Sequence, residues 1–284
     1  ARDSGRASVQ LSSIFYRLGR AYRAMGDLDA EKECYKSAVS QGVWTSTEQR
    51  PGYLFPGRAL PSSPFPHINR TLKNDPKFHD VWRLVSMLED SSEEIEEEFR
   101  RFYSSRHPSL HEDNENIADH GSWRQLIFAR NGRLLPQMWR GAGKDGSGDK
   151  SERMNSVLAN EAENRGGNDD DDNHDEKAPA LIEDFPITRQ ILMFMRKDLS
   201  SHLPKGSMEF SILASSSHLR PHCGPSNHRL RLHLPIILPR KPVARIRAGK
   251  LTLEWEKGKV LVLDDSYDHE VRQKRVSFHF SFWK

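Results

Sequence analysis

A chain of 284 residues can bury a sizeable core in one or two domains, and its 36% apolar and 29% charged residues suggest a folded core with some unstructured sequence. A net charge of only +3, from 43 basic and 40 acidic residues, gives no reason to expect a nucleic-acid partner. No run approaches the length of a membrane-spanning helix and no secretory-type apolar stretch opens the chain. The first residue is Ala rather than Met, so the chain is expected to be part of a longer protein with room upstream for an anchor. Cys34 and Cys223 are too few for a disulfide framework and leave the compartment open.

In chain order, residues 9–41 read as two helices. Leu11, Phe15, Leu18 and Tyr22 recur at helical spacing, Gly26-Asp27 breaks the run, and Ala30, Tyr35 and Ala38 carry the second helix. Phe15, Leu18-Gly19, Tyr22, Gly26, Tyr35 and Ala38 match the tetratricopeptide pattern in order and spacing. An ordinary helical hairpin would look nearly the same. One such repeat cannot bury its own faces, so it is expected to end a longer array or cap the next domain. Residues 50–80, rich in Pro, Gly and aromatics, read as an irregular connection. Phe78 to Phe102 reads as helix, with Val81, Leu84, Leu88 and Ile95 on one side and the acidic run Asp90–Glu98 on a solvated face.

Residues 141–178 are Gly, Ser, Asn, Asp and Glu with almost nothing apolar, and are expected to be a disordered insertion. From residue 208 the period changes to two. Met208–Ala214, His228–Leu238, Ala244–Ala248, Leu251–Trp255, Val260–Leu263 and Val276–Phe282 read as strands of an antiparallel sandwich or barrel.

In the alternating strand, Leu230, Leu232 and Leu234 share one face and Arg229, Arg231 and His233 the other. A row of guanidinium and imidazole groups suits a carboxylate, although a solvated outer face explains the same pattern. His222, in the tight segment Arg220-Pro221-His222-Cys223-Gly224-Pro225, and His269, after a strand, could together hold iron with positions left open. Two histidines far apart in sequence are by themselves a weak signal.

The ordered blocks Phe210-Ser211-Ile212, Pro221-His222-Cys223-Gly224-Pro225, Arg229-Leu230-Arg231-Leu232-His233-Leu234, Trp255-Glu256-Lys257-Gly258-Lys259-Val260, Asp264-Asp265-Ser266 and His269-Glu270-Val271 resemble the aspartyl/asparaginyl β-hydroxylase family. So do His111-Glu112-Asp113-Asn114-Glu115-Asn116, Gly121-Ser122-Trp123, Gly141-Ala142-Gly143-Lys144 and Phe185-Pro186-Ile187-Thr188 upstream. The resemblance implies an α+β chain: tetratricopeptide-like helices and a connector over 1–105, then a double-stranded β-helix (jelly-roll, cupin-like) dioxygenase domain over 106–284, interrupted by the acidic insertion. It implies an enzyme, a peptide-aspartate β-dioxygenase using iron(II), 2-oxoglutarate and O2 to hydroxylate the β-carbon of Asp or Asn in EGF-like domains. It also implies residence on the lumenal side of the endoplasmic reticulum. His222 and His269 match the iron ligands, and Gly224 stands where most related dioxygenases have a third, carboxylate ligand. Ser211, Arg231, His233 and Trp123 match the 2-oxoglutarate site; Arg229, Asp113 and Gln125 match substrate contacts.

The sequence also departs from the family. His279 stands where the family places an Arg to hold the 2-oxoglutarate carboxylate, and an imidazole cannot copy the two-pronged guanidinium contact. That loss is expected to cost about 1.5–3 kcal/mol of cosubstrate binding. Family members run on beyond the strand that ends near Lys284. Cys223 puts a thiol beside an iron ligand, where easy oxidation is expected. These departures keep open a second reading, a catalytically impaired homologue acting as a binding or scaffold protein.

Overall fold

The computed structural model describes residues 2–55, 63–66, 75–105, 111–112, 117–130, 133–134, 181–199, 207–238, 244–272 and 277–283, the last of these by backbone alone. The expected insertion, Asp113 and the Gly141–Lys144 block lie outside the described residues.

Two helices open the chain, α1 (Arg2–Ala24) and α2 (Leu28–Ser40). Gly26, at φ +79°, makes the turn between them, and Asp27 caps α2 by accepting a hydrogen bond from Ala30 N at 2.9 Å. A side chain on Gly19 would run into the Tyr35 ring, so glycine is what lets the helices close. Trp44 completes this small core, edge-on to Phe15 and Tyr35, with Ala38 and Val43 beneath. Leu11 and Leu18, on the apolar stripe, are exposed; Ser12 and Gly19 face inward instead.

The helix expected from Phe78 to Phe102 is two helices. A single 3-10 turn, Pro76–Phe78, leads into α3 (His79–Asp90), and α4 (Ser92–Ser105) follows after a break at Ser91. The acidic run is not simply a solvated face. Glu98 is 2% exposed and Glu96 is 9% exposed. Glu98 accepts bonds from Ile187 N, Thr188 N and Thr188 Oγ1 at the start of α5 (Pro186–Leu199), and Glu96 pairs with Lys257 and Arg100. A carboxylate at the positive end of a helix is favourably placed, which is why Glu98 goes inward, whereas Glu96 is held by its two cations.

The strands are β1 (His111–Glu112), β2 (Ala118–His120), β3 (Trp123–Arg130), β4 (Arg133–Leu134), β5 (Ser207–Leu213), β6 (His218–His222), β7 (Arg231–Ile237), β8 (Arg245–Ala248), β9 (Leu251–Glu254), β10 (Leu261–Leu263), β11 (His269–Arg272) and β12 (Ser277–Trp283). They form two antiparallel sheets, ordered β1-β3-β5-β12-β7-β10, with β4 on β3, and β2-β6-β11-β8-β9. From β5 onward successive strands cross between the sheets except at the β8–β9 hairpin, so that β12 lies between β5 and β7 while β11 lies between β6 and β8. This is the strand order of a jelly roll. Six strands lie outside the sequence reading: β1 to β4, upstream of residue 208, and the two that carry the site histidines. His222 ends β6 rather than sitting in an irregular segment, and His269 begins β11.

The first sheet is covered on both sides. Along β5, Met208, Phe210 and Ile212 face α3, α4 and α5, while Leu213 belongs to the core between the sheets. The alternation repeats in β10 and its approach: Val260 and Val262 pack toward the helices, Leu261 and Leu263 between the sheets. Phe185 anchors the helical layer, with ring centroids 4.9, 5.2 and 5.5 Å from Phe102, Phe128 and Phe210. No helix among the described residues is long and apolar enough to cross a membrane.

Candidate active site

The inter-sheet interior turns polar at one end. Glu209 and Ser211 on β5, Arg231 and His233 on β7, Trp123 on β3 and Trp255 after β9 line a cavity closed by His222 and His269. The alternating face of β7 is therefore not a solvated outer surface: His233 is 7% exposed and the Arg231 side chain 13%.

His222 and His269 are directly paired across β6 and β11, with ring centroids 4.2 Å apart. Each is oriented the same way. His222 Nδ1 lies 2.8 Å from the carbonyl of Arg220, and His269 Nδ1 lies 2.8 Å from the carbonyl of Tyr267. A carbonyl only accepts, so both Nδ1 atoms carry the proton and both Nε2 atoms are left as the lone-pair nitrogens. His269 Nε2 is buried and has no hydrogen-bond partner. Burial, with His222 and Arg231 nearby, holds His269 well below the ordinary imidazole range, so its neutral, metal-binding form prevails.

No group of three or more His, Cys, Asp or Glu side chains suited to a metal occurs among the described residues. Two imidazoles so oriented, that of His269 with a bare buried Nε2, nevertheless suit iron with open positions. Gly224 explains why a third ligand is missing at its position. A Cβ there would collide with the Asp265 carboxylate. Asp265 is fully buried; it accepts bonds from Arg229 Nε at 3.1 Å and from Arg229 Nη2, and lies 3.6 Å from Arg231 Nη2. Burial pushes this carboxyl up, but Arg229 and Arg231 outweigh it and hold the group below the usual range.

The other expected residues fall as follows. Trp123 Nε1 donates to Ser211 Oγ at 2.6 Å, so two of the expected 2-oxoglutarate residues touch. Gln125 does not line the cavity; it is 5% exposed and donates to Glu209 Oε1 at 2.8 Å. Arg229 likewise stands back from the cavity, occupied with Asp265. In backbone register His279 faces Ser211 of β5 and Pro235 of β7. Cys223 is not poised for oxidation: it is 8% exposed, and burial pushes its thiol up to about 12.

Sequence reasoning assigns Asp265 and Glu209 no role. Both had a signal. Glu209 shares a face with Ser211 in an otherwise apolar strand, so a carboxylate there points into the interior. Asp265 lies in a turn beside the histidine-bearing strand.

Comparison with known proteins agrees with this geometry. The chain is 27% identical to the human protein named aspartyl/asparaginyl beta-hydroxylase over 280 residues, 99% of this chain and 29% of that one. The mouse counterpart is 26% identical, also over 99% of this chain. This chain thus spans under a third of the length of these relatives. An ornithine lipid ester-linked acyl 2-hydroxylase from Rhizobium tropici is 44% identical over 62 residues, 22% of each chain. Among solved structures, a Pseudomonas putida prolyl-4-hydroxylase overlaps 69% of this chain and 85% of its own with a TM-score of 0.35 and 12% identity; the jelly-roll assignment rests on the strand order above. The family model described as aspartyl/asparaginyl beta-hydroxylase matches residues 89–284, and the chain belongs to that family.

Proposed function

We propose that the chain is an iron(II)- and 2-oxoglutarate-dependent hydroxylase acting on the β-carbon of Asp or Asn in EGF-like domains. The observation that carries this reading is the matched pair His222 and His269, each with Nδ1 held by a backbone carbonyl, at the mouth of a cavity lined by Arg231, Ser211 and His233. In this reading the two Nε2 atoms hold iron, which supplies oxygen activation coupled to decarboxylation of the 2-oxo acid. The buried cation of Arg231 attracts the cosubstrate carboxylate, and Ser211, fixed by Trp123, offers a hydroxyl to it. His233 lies on the same inward face, and His279 stands opposite Ser211 in backbone register. The apolar walls, Leu219 and Val271 among them, keep water from the reacting atoms. The helical hairpin would be the end of a tetratricopeptide-like array, and the lumen of the endoplasmic reticulum the compartment where such substrates mature.

A specific observation favours a second reading, loss of catalysis. His279, not Arg, faces Ser211, and Arg229 is already paired with Asp265. The experiment is succinate release from 2-oxoglutarate with iron(II), ascorbate and an EGF-like peptide, for the parent, His222→Ala and His279→Arg. Peptide-dependent succinate in the parent, abolished in His222→Ala, is expected. Activity only in His279→Arg would mean a catalytic fold disabled at its cosubstrate clamp. No activity in any of the three folded proteins would sink the enzyme and leave the binding protein.

A further inference from the structure

The two candidate iron ligands are far apart in sequence, yet one chain of side chains from the helical hairpin reaches the residue before each of them. Arg23 on α1 donates Nη1 to the carbonyl of Pro221 at 2.9 Å, next to His222. Its Nε pairs with Glu31 on α2 at 2.7 Å. Tyr35 donates its hydroxyl to the same Glu31 oxygen at 2.7 Å. The guanidinium of Arg50 lies over the Tyr35 ring, 4.3 Å from its centroid, and Arg50 Nη2 pairs with the carboxylate of Asp268, next to His269. Glu31 is 3% exposed and Arg50 is 8% exposed, so these two members are shielded from water, while the Arg23 side chain is 27% exposed.

Backbone contacts reinforce both ends. Tyr16 donates its hydroxyl to the carbonyl of Cys223 at 3.1 Å, on the other side of His222. Arg50 N donates to the carbonyl of Ser266 at 3.1 Å, and Asp268 N to the carbonyl of Glu48 at 2.6 Å. The Asp268 carboxylate is held from its far side by Arg247 Nη2 at 2.9 Å. A hairpin that served only to cover the jelly roll would need apolar contacts, not a buried ionic chain ending beside both imidazoles.

We propose that Arg23, Glu31, Tyr35 and Arg50 are positioning residues that set the spacing and ring orientation of His222 and His269, so that metal affinity depends on the helical hairpin. This rests on the reading that the two histidines hold iron. A guanidinium fork and a shared carboxylate fix direction as well as distance, and an outer-shell change of this kind typically costs ten- to a hundredfold in metal affinity.

The test uses the whole chain and Co(II), followed by calorimetry and by its visible absorption band. Arg50→Met and Glu31→Gln are expected to weaken Co(II) binding about tenfold and to alter the band, and Arg50→Lys to recover only part of the loss. Tyr35→Phe, which removes one hydroxyl and is the least disruptive to folding, is expected to weaken binding severalfold. Leu88→Ala, buried under the helices on the far side of the first sheet, lowers thermal stability but leaves the affinity and the band unchanged. Amide hydrogen exchange of the metal-free protein gives a second readout: Glu31→Gln and Tyr35→Phe speed exchange in 219–224 and 266–271 together, and not in 208–213. Unchanged Co(II) affinity and unchanged exchange in folded Tyr35→Phe and Glu31→Gln overturn the proposal. A parent chain that binds no Co(II) removes the iron reading, and the exchange measurement still decides whether the hairpin positions the two strands.

Discussion

The first sheet has two unlike faces. The helix-backed face is filled by interlocked aromatic and aliphatic side chains, from Leu88 and Phe99 to Phe185 and Phe210. The face toward the second sheet holds Glu209, Ser211, Arg231 and His233 beside a smaller apolar core. The same strands supply both, one residue apart, so the difference lies only in which side chains alternate. The lesson is that stability is concentrated behind the sheet, which frees the inner face to carry polar groups that a core would otherwise exclude. The largest way to break that comparison is Phe185→Ala, at the centre of the aromatic cluster and fully buried. It is expected to cost about 3–5 kcal/mol in denaturant unfolding. Metal affinity of the molecules that remain folded should be unchanged. A shifted affinity would mean that the two faces are not independent.

Buried carboxylates sharpen the contrast. On the helical side, Glu98 takes three donors at the start of α5, Ile187 N, Thr188 N and Thr188 Oγ1. Truncating it leaves those donors buried without an acceptor. Glu98→Ala is therefore expected to lose about 1.5–3 kcal/mol of stability. The loss should show as faster hydrogen exchange in 186–192, with the exchange of 219–224 unmoved. Equal effects on both segments would erase the distinction between the two sides.

Much of the sheet was legible because strict alternation is a strong signal where one face packs on helices. β5, β7, β10 and β12 were read to within a few residues. β6 and β11 were not, since His218-Leu219-Arg220-Pro221-His222 and His269-Glu270-Val271-Arg272 are too short and polar to show a period. Glu96 and Glu98 looked like part of a solvated run because their partners, Lys257 and Thr188, are remote in sequence. Within the site, the resemblance supplied His222, His269, Arg231 and Ser211. What it left unexplained was the reason for Gly224, which depends on Asp265 filling the space in three dimensions. The ionic chain from Arg23 to Arg50 was invisible for the same reason, since no local pattern records a contact between elements.

Asp264 is the counterpart of Glu98 on the other side and the subject of the smallest net effect. Its Oδ1 accepts from Ser266 N and Oγ at 3.0 and 2.6 Å, but Oδ2 is buried with no partner. Burial pushes this carboxyl up to about 7. A folded-state value raised above the unfolded one means that the folded protein holds the proton more tightly. Stability from this group is therefore present at acid pH and is lost as pH rises from the unfolded value toward 7. Fully developed, that loss is about 4 kcal/mol. Asp264→Asn removes it, while leaving an amide group buried without an acceptor at about 1–3 kcal/mol. The variant should thus be more stable than the parent by about 1–3 kcal/mol at pH 8 and less stable than it near pH 4. His269, held low by burial, moves stability the opposite way, downward as pH falls below the unfolded imidazole value. That slope is common to both proteins and cancels in their difference. Urea titrations of parent and Asp264→Asn at pH 4, 6.5 and 8 measure the crossover directly; parallel pH profiles would show that Asp264 titrates alike in the folded and unfolded chain.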